Sequence, residues 1–331
     1  MVAAKAPVSK TVLPAAKAAA SSDPLPEFGT KAFNQLAKER GAAWMASRNR
    51  DAVSLLAMWD LTGDEAILRE AAAKFPGNRQ VCLAMLGVIF DGGTGSAEEK
   101  RKWTEHLIAA DPANPLGYHY QARLAQAAGD RAGALAALET ALGKKDRINY
   151  YLRERMVGAK EGLLASGVPL KDAYVLALMG PLAKVSAEIF GTGKMAGLFK
   201  TELAAMRAAG QDTELQELAS LGMRLAEQQR LTQSPSLITE LMAHAMRMRF
   251  LKELDPETEI ANSGRSVAEE LVVAATEKEN LSKLMKEINP AHEYLQTAPL
   301  EVQGQYADRM MMDGEMAAIK YLLKEKARSA R

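Results

Sequence analysis

Residues 115–146 read PLGYHYQARLAQAAGDRAGALAALETALGKKD, and this stretch decides the fold. It contains two helical runs, separated by Gly129 and Asp130. Small and apolar residues recur at helical spacing in both runs, and they fall on one face of each: Tyr118, Ala122, Ala125, Ala134, Leu138 and Ala141. Because small residues opposite large ones let two helices approach closely, the stretch predicts a helical hairpin.

The pattern recurs twice upstream. Pro76, Pro112 and Asp146 mark the ends of successive units, at intervals of 36 and 34 residues. Gly63 and Asp64 divide the first unit, and a glycine-rich turn at 91–95 divides the second. A fixed period of this length is typical of helical-repeat arrays, in which each unit buries its apolar face against its neighbours.

The segment from Pro115 to Asp146 resembles a tetratricopeptide (TPR) repeat, and the two units before it, from about Asn49, are similar but degenerate. The first unit is about one turn short, and Trp59 stands where the motif usually has Tyr. The resemblance is confined to residues 49–146 and does not extend to the C-terminal half. It implies an array of about three hairpins whose first helices line a concave, partner-binding face.

After Asp146 the period is lost, but helical patterns continue to the end of the chain. Residues 148–165, 212–230 and 303–327 predict helices, while Gly180–Pro181 and Asn289–Pro290 predict helix ends because proline removes a backbone donor and clashes with the preceding turn. No strand is expected. We therefore predict an all-α fold, divided into a disordered leader (1–28), TPR-like repeats (29–146) and a C-terminal helical region (147–331).

The amino-acid composition argues against a nucleic-acid binder and against a membrane-spanning protein. Lys and Arg number 42 against 41 Asp and Glu, which argues against a nucleic-acid binder, since such domains carry a basic excess. The first 28 residues mix Ala, Pro, Ser and Lys, which is typical of a disordered leader and lacks the apolar core of a signal peptide. No stretch is long and apolar enough to predict a membrane span. We expect a soluble protein, with the cytoplasm slightly favoured.

The residue types that carry catalysis are scattered. No two of the four histidines lie at i, i+3 or i+4 spacing, so no helical metal pair is predicted. Cys82, the sole cysteine, lies in an apolar run typical of a core residue. Gly191–Lys194 lacks the first glycine, the following Ser or Thr and the preceding strand of a phosphate-binding loop. The sequence predicts no catalytic, cofactor or metal residues, and no enzyme.

The resemblance instead implies a scaffold that binds a peptide or partner helix in the concave face of the repeats. Arg123 is the expected anchor, because its planar fork can hold a carboxylate through two hydrogen bonds. The same register places nine side chains on this face: Arg50, Val53, Asp60, Gln80, Leu83, Phe90, His119, Arg123 and Gln126. Two alternatives stay open: a structural subunit that self-associates through Met-rich helices, and an enzyme with its site in the C-terminal helices.

Overall fold

The structure is a computed structural model that describes residues 30–232, 236–260 and 263–330. The predicted disordered leader, residues 1–28, lies outside the described residues. The described chain is almost entirely α-helical, so the predicted all-α class is confirmed.

Three helical hairpins follow a first helix, and each helix packs against the next along the chain. This array of packed neighbouring pairs is compatible with a helical-repeat fold. The helices are α1 (Lys31–Ser47), α2 (Ala52–Thr62), α3 (Glu65–Lys74), α4 (Arg79–Asp91), α5 (Ala97–Ala110), α6 (Leu116–Ala127) and α7 (Arg131–Leu142).

Local turn chemistry explains where the hairpins bend. Gly63 and Gly129 adopt left-handed φ angles of 67° and 74°, which glycine allows without steric cost. The next residues then cap the second helices: Asp64 accepts from the backbone N–H of Ala66, and Asp130 from that of Gly133. The Gly-Asp dipeptides therefore end one helix and start the next.

Packing within the third hairpin agrees with the repeat register. Ala122 of α6 and Ala141 of α7 are fully buried, and Ala122 belongs to the same apolar cluster as Leu138. Small side chains at these positions let α6 and α7 lie close together.

The chain then turns back to its beginning. Helix α8 (Leu152–Ala165) packs against α1 and α2 of the N-terminal end. Two of its glycines make this approach possible: a Cβ on Gly162 would lie 2.8 Å from the ring of Trp44, and one on Gly158 would lie 3.0 Å from Val53. The first hairpin is therefore covered by a helix that follows the third in sequence.

Helix α9 (Leu170–Ala208) is continuous through Pro181, so the predicted break at Gly180–Pro181 is wrong. Pro181 is buried, and a Cβ on Gly180 would lie 2.9 Å from the carbonyl oxygen of Asp60. Packing at this close contact with α2 offsets the stability that is lost because proline cannot donate a backbone hydrogen bond. Helix α9 goes on to contact α4 and α6, and so passes along the first helix of every hairpin.

The remaining elements pack against α9, against the third hairpin or against one another. They are α10 (Asp212–Arg230), α11 (Leu237–Leu251), β1 (Glu259–Ile260), β2 (Arg265–Ser266), α12 (Val267–Thr297), α13 (Leu300–Asp313) and α14 (Glu315–Ser329). Three details differ from expectation. The two short strands form an antiparallel pair, α12 continues through Pro290, and Gly314, at φ 88°, divides the predicted last helix in two.

Two apolar cores result. One joins the first two hairpins to α8, the start of α9 and α13–α14, and the other joins the third hairpin to α10–α12. Both cores therefore combine residues from the repeat segment with residues from the C-terminal region. Within the described residues, no helix combines the length and the apolar character needed to cross a membrane.

Candidate functional site

The predicted concave face starts at the first hairpin, where Asp60 lies against α8. The carboxylate of Asp60 accepts from Arg155 at 3.1 Å (Nε to Oδ2) and 2.5 Å (Nη2 to Oδ1). Arg50, just before α2, donates to Glu70 of α3 at 2.6 Å and 2.5 Å. These hydrogen bonds, with help from Lys74, lower the pKa of Glu70 to about 2. Asp60 and Arg50 are therefore both held in ion pairs within the chain.

The second hairpin contributes an aromatic cluster to the face. Leu83 is fully buried in the core, and Gln80 is half-buried at the start of α4. Phe90 packs on Tyr120 of α6, with ring centroids 5.0 Å apart. The guanidinium carbon of Arg123 lies 4.6 Å from the centroid of the Phe90 ring. The predicted residues Phe90 and Arg123 are thus brought together, as a cation–π contact between α4 and α6.

His119 of α6 lies under α10. The residue is 2% exposed, and its Nε2 lies 3.0 Å from Oε1 of Gln228. Burial lowers the pKa of His119 to about 4, so the ring is neutral at physiological pH. Gln228 in turn donates to the carbonyl oxygen of Ala141, which fixes α10 to the end of the third hairpin.

Gln126 is the exposed end of the predicted face. It lines a shallow cleft of about 140 Å³ together with Arg131 of α7 and with Phe199 and Glu202 of α9. Arg131 and Glu202 form an ion pair across this cleft at 3.1 Å.

The first helices of the hairpins therefore face other helices of their own chain. Asp60 is covered by α8 and α9, and His119 by α10, while Phe90, Arg123 and Gln126 keep partial or full exposure. Asp60 and His119 offer no exposed surface to a partner in this conformation. The binding role of the other predicted residues stays a prediction.

A larger cleft is lined in part by α10. It measures about 1060 Å³ and lies between α10, α11 and α12, and the connection that follows α7 also lines it. We call it the C-terminal cleft. Leu231, Leu281 and Leu284 contribute apolar surface to it, and α14 contributes Met316 and Lys320.

Paired charges stabilise the walls of this cleft. Arg247 of α11 forms ion pairs with Glu270 and with Glu277, both in α12, the second at 2.7 Å. Arg230 and Glu227 pair along α10 at 2.6 Å. Since the carboxylate of Glu270 is 5% exposed and also meets Arg265 at 3.4 Å, α11, β2 and α12 are tied together at one place.

Two titratable side chains of α11 also line the cleft. Burial is the main influence on each: it raises the pKa of Glu240, against the opposing effect of Arg230, and it lowers the pKa of His244. The Nδ1 atom of His244 is buried and has no hydrogen-bond partner among the described residues.

Sequence reasoning did not find the C-terminal cleft, because its walls come from segments far apart in the chain. One local signal was present. Lys144, Lys145 and Arg147 form a short basic run directly after the third hairpin, where a repeat array would expose it.

The described part of the chain contains no group of three or more His, Cys, Asp or Glu side chains placed to hold a metal ion. Comparison of the chain with protein-family models, curated proteins and solved structures finds no match in any of the three.

Proposed function

We propose that this chain is a protein-interaction scaffold whose TPR-like hairpins form a rigid frame and whose C-terminal cleft holds a segment of a partner protein. The observation that carries the proposal is the composition of the cleft. Its lining combines apolar side chains of α10 and α12 with charged side chains, the mixture of apolar and polar contacts that protein interfaces use.

The hairpins support this proposal as a frame. Gln228 and Gln229 of α10 bond to Ala141 and to Tyr150, so one wall of the cleft is fixed to the third hairpin. A wall held in place before binding loses little conformational entropy when a partner docks, which favours affinity.

Helix α12, which also lines the cleft, supports the proposal as well. Through its middle turns most side chains are exposed, while Leu281, Leu284 and Ile288 are half-buried on one stripe. Leu281 and Leu284 point into the cleft. A partner that covers this stripe would bury apolar surface that now meets water, worth about 25 cal/mol per Å².

Site-specific photo-crosslinking tests the proposal. A photoreactive amino acid replaces Asn280, which lines the cleft, or Val272, which is 66% exposed and does not line it. The full-length chain is then irradiated in the cells that express it. We expect a crosslinked partner protein from position 280 and none from position 272. No adduct at 280, or the same adducts from both positions, would contradict the proposal.

The same experiment addresses self-association. A crosslink to a second copy of this chain from position 280 would favour a structural subunit over an adaptor. The Met-rich helices give that alternative little exposed surface: Met246, Met310 and Met311 are buried in the cores, whereas Met312 is exposed.

A further inference from the structure

The charges of the C-terminal cleft do not balance. The carboxylates of Glu227, Glu270 and Glu277 each have an arginine partner inside the cleft. Arg230, Arg247 and Arg265 therefore balance these three carboxylates, since Arg265 also meets Glu270. The rest of the lining contains two acidic residues, Asp146 and Glu240, against five basic ones, so the cleft keeps a net positive charge.

Three of those basic side chains stand out. Lys145 and Arg147, in the connection after α7, and Arg224 of α10 are exposed, and none forms an ion pair with a described residue. Lys144 beside them lies 4.1 Å from the centroid of the Tyr118 ring. Asp146 is the acidic residue of this run, so the connection keeps a net positive charge.

The fold brings Arg224 to the same end of the cleft as the basic connection. Arg224 lies one turn before Gln228 on α10, and residues four apart share a helix face. Because Gln228 bonds to the carbonyl oxygen of Ala141, that face of α10 is turned towards the end of α7, where the connection begins. The positive charges therefore gather at one end of the cleft, and apolar side chains of α12 line another part of it.

We infer that the occupant of the C-terminal cleft is an acidic, amphipathic segment of the partner protein. Its carboxylates bind Lys145, Arg147 and Arg224, and its apolar side chains pack on Leu281 and Leu284. Arginine suits this role because its planar guanidinium holds a carboxylate through two parallel hydrogen bonds. An amphipathic segment suits it because such helices place an apolar face into a groove and a charged face at its edge. This inference rests on the proposed scaffold function.

A fluorescence-anisotropy titration with the full chain tests the inference. The probe is a fluorescein-labelled peptide of about 16 residues, or roughly 24 Å when helical, with Leu at every third or fourth position and Glu between. A second peptide carries Gln at each Glu position. The test variant is Arg147→Glu/Arg224→Glu. The matched control is Arg101→Glu/Arg249→Glu, which makes the same charge change at exposed positions outside the cleft.

We expect saturable binding of the Glu peptide, at least about tenfold weaker affinity for the Gln peptide, and a similar loss in the test variant, since contacts to charged groups are the stronger ones. The control variant should bind within about twofold, and affinity should fall as added salt shortens the screening length from about 10 Å towards 3 Å. Absent binding, equal losses in both variants, or tighter binding of a DNA oligonucleotide of equal charge would overturn the inference.

The two proposals can fail separately. Suppose that position 280 crosslinks to a partner but peptide affinity is unchanged in Arg147→Glu/Arg224→Glu. This result would contradict the acidic occupant and support the scaffold function. Peptide binding as expected, with no crosslinked protein in cells, would support the binding of acidic segments by the cleft and contradict the scaffold function.

Discussion

Arg155 of α8 forms a two-point ion pair with Asp60 of α2, and the two side chains are 1% and 0% exposed. A tryptophan ring lies nearby: the guanidinium carbon of Arg155 is 5.3 Å from the centroid of the Trp59 ring. The pair joins the first hairpin to the helix that covers it, at a place where water does not reach.

Removing one member of this pair leaves the other charge buried without compensation. We expect Arg155→Met to lower the free energy of unfolding by about 3–5 kcal/mol. The double variant Asp60→Leu/Arg155→Met should regain most of the loss, because it removes both charges and keeps apolar volume. Guanidinium denaturation followed by circular dichroism measures both values.

An exposed pair provides the control for this prediction. Arg69 and Glu65 of α3 lie 3.8 Å apart and are both exposed, so Arg69→Ala should cost no more than about 1 kcal/mol. Equal losses in Arg69→Ala and Arg155→Met would show that Asp60 and Arg155 are not buried together.

Ala122 tests the packing of the third hairpin. Its side chain is fully buried between α6 and α7, so Ala122→Leu should overpack the site and lower the free energy of unfolding by roughly 1–3 kcal/mol. Ala141→Leu should behave alike. Ala136→Leu, on the exposed face of α7, is the matched control and should leave the denaturation midpoint unchanged. Three identical midpoints would refute the helix register.

Burial of the neutral His119 ring should lower the free energy of unfolding in mild acid. Its folded pKa of about 4 lies below its unfolded value near 6.5, so the unfolded chain binds the extra proton more readily. Stability is therefore complete above pH 6.5 and is lost as the pH falls towards 4, by about 2 kcal/mol at pH 5. Carboxylates with a lowered pKa, such as Glu70, lose their contribution at still lower pH.

Comparison of variants isolates the effect of His119 from that of His244, whose pKa is also lowered by burial. His119→Asn should reduce the difference in unfolding free energy between pH 7 and pH 5, and the double variant His119→Asn/His244→Asn should reduce it further. An unchanged difference in His119→Asn would mean that this ring is not the buried neutral group.

Cys82 should be inert in the folded protein. It is fully buried, its Sγ donates to the carbonyl oxygen of Pro76 at 3.2 Å, and burial raises the pKa of the thiol to about 11. Since the thiolate is the reactive form, we expect no reaction with Ellman's reagent at pH 8, and one thiol per chain in guanidinium. Rapid reaction of the native chain would contradict this burial, and Cys82→Ala should give no signal in either condition.

Much of the repeat region could be predicted because its signals are local. Gly129 and Asp130 set a turn within a few residues, whatever the rest of the chain does. Pro181 and Pro290 gave the opposite result: each favours a helix end locally, but both helices continue through them. Tertiary packing decides such positions, and no pattern within the helix itself reports it.

The site was less predictable for the same reason. The register predicts Asp60 and His119 on a partner-binding face, whereas in the structure helices from later in the chain cover both side chains. The C-terminal cleft is assembled from six segments between Leu142 and Lys320. A single sequence carries no signal for which distant segments meet. Only the fold shows that a charge run such as Lys144–Arg147 lines a cleft.

The return of α8 to the first hairpin has a consequence for the order of synthesis. Asp60 leaves the ribosome 95 residues before Arg155 does. At roughly 5–20 residues per second, the first hairpin spends about 5–20 seconds with its acidic group and neighbouring apolar surface uncovered. During that interval a chaperone can occupy the surface that α8 later takes, so we expect the nascent N-terminal half to associate with chaperones until α8 has emerged.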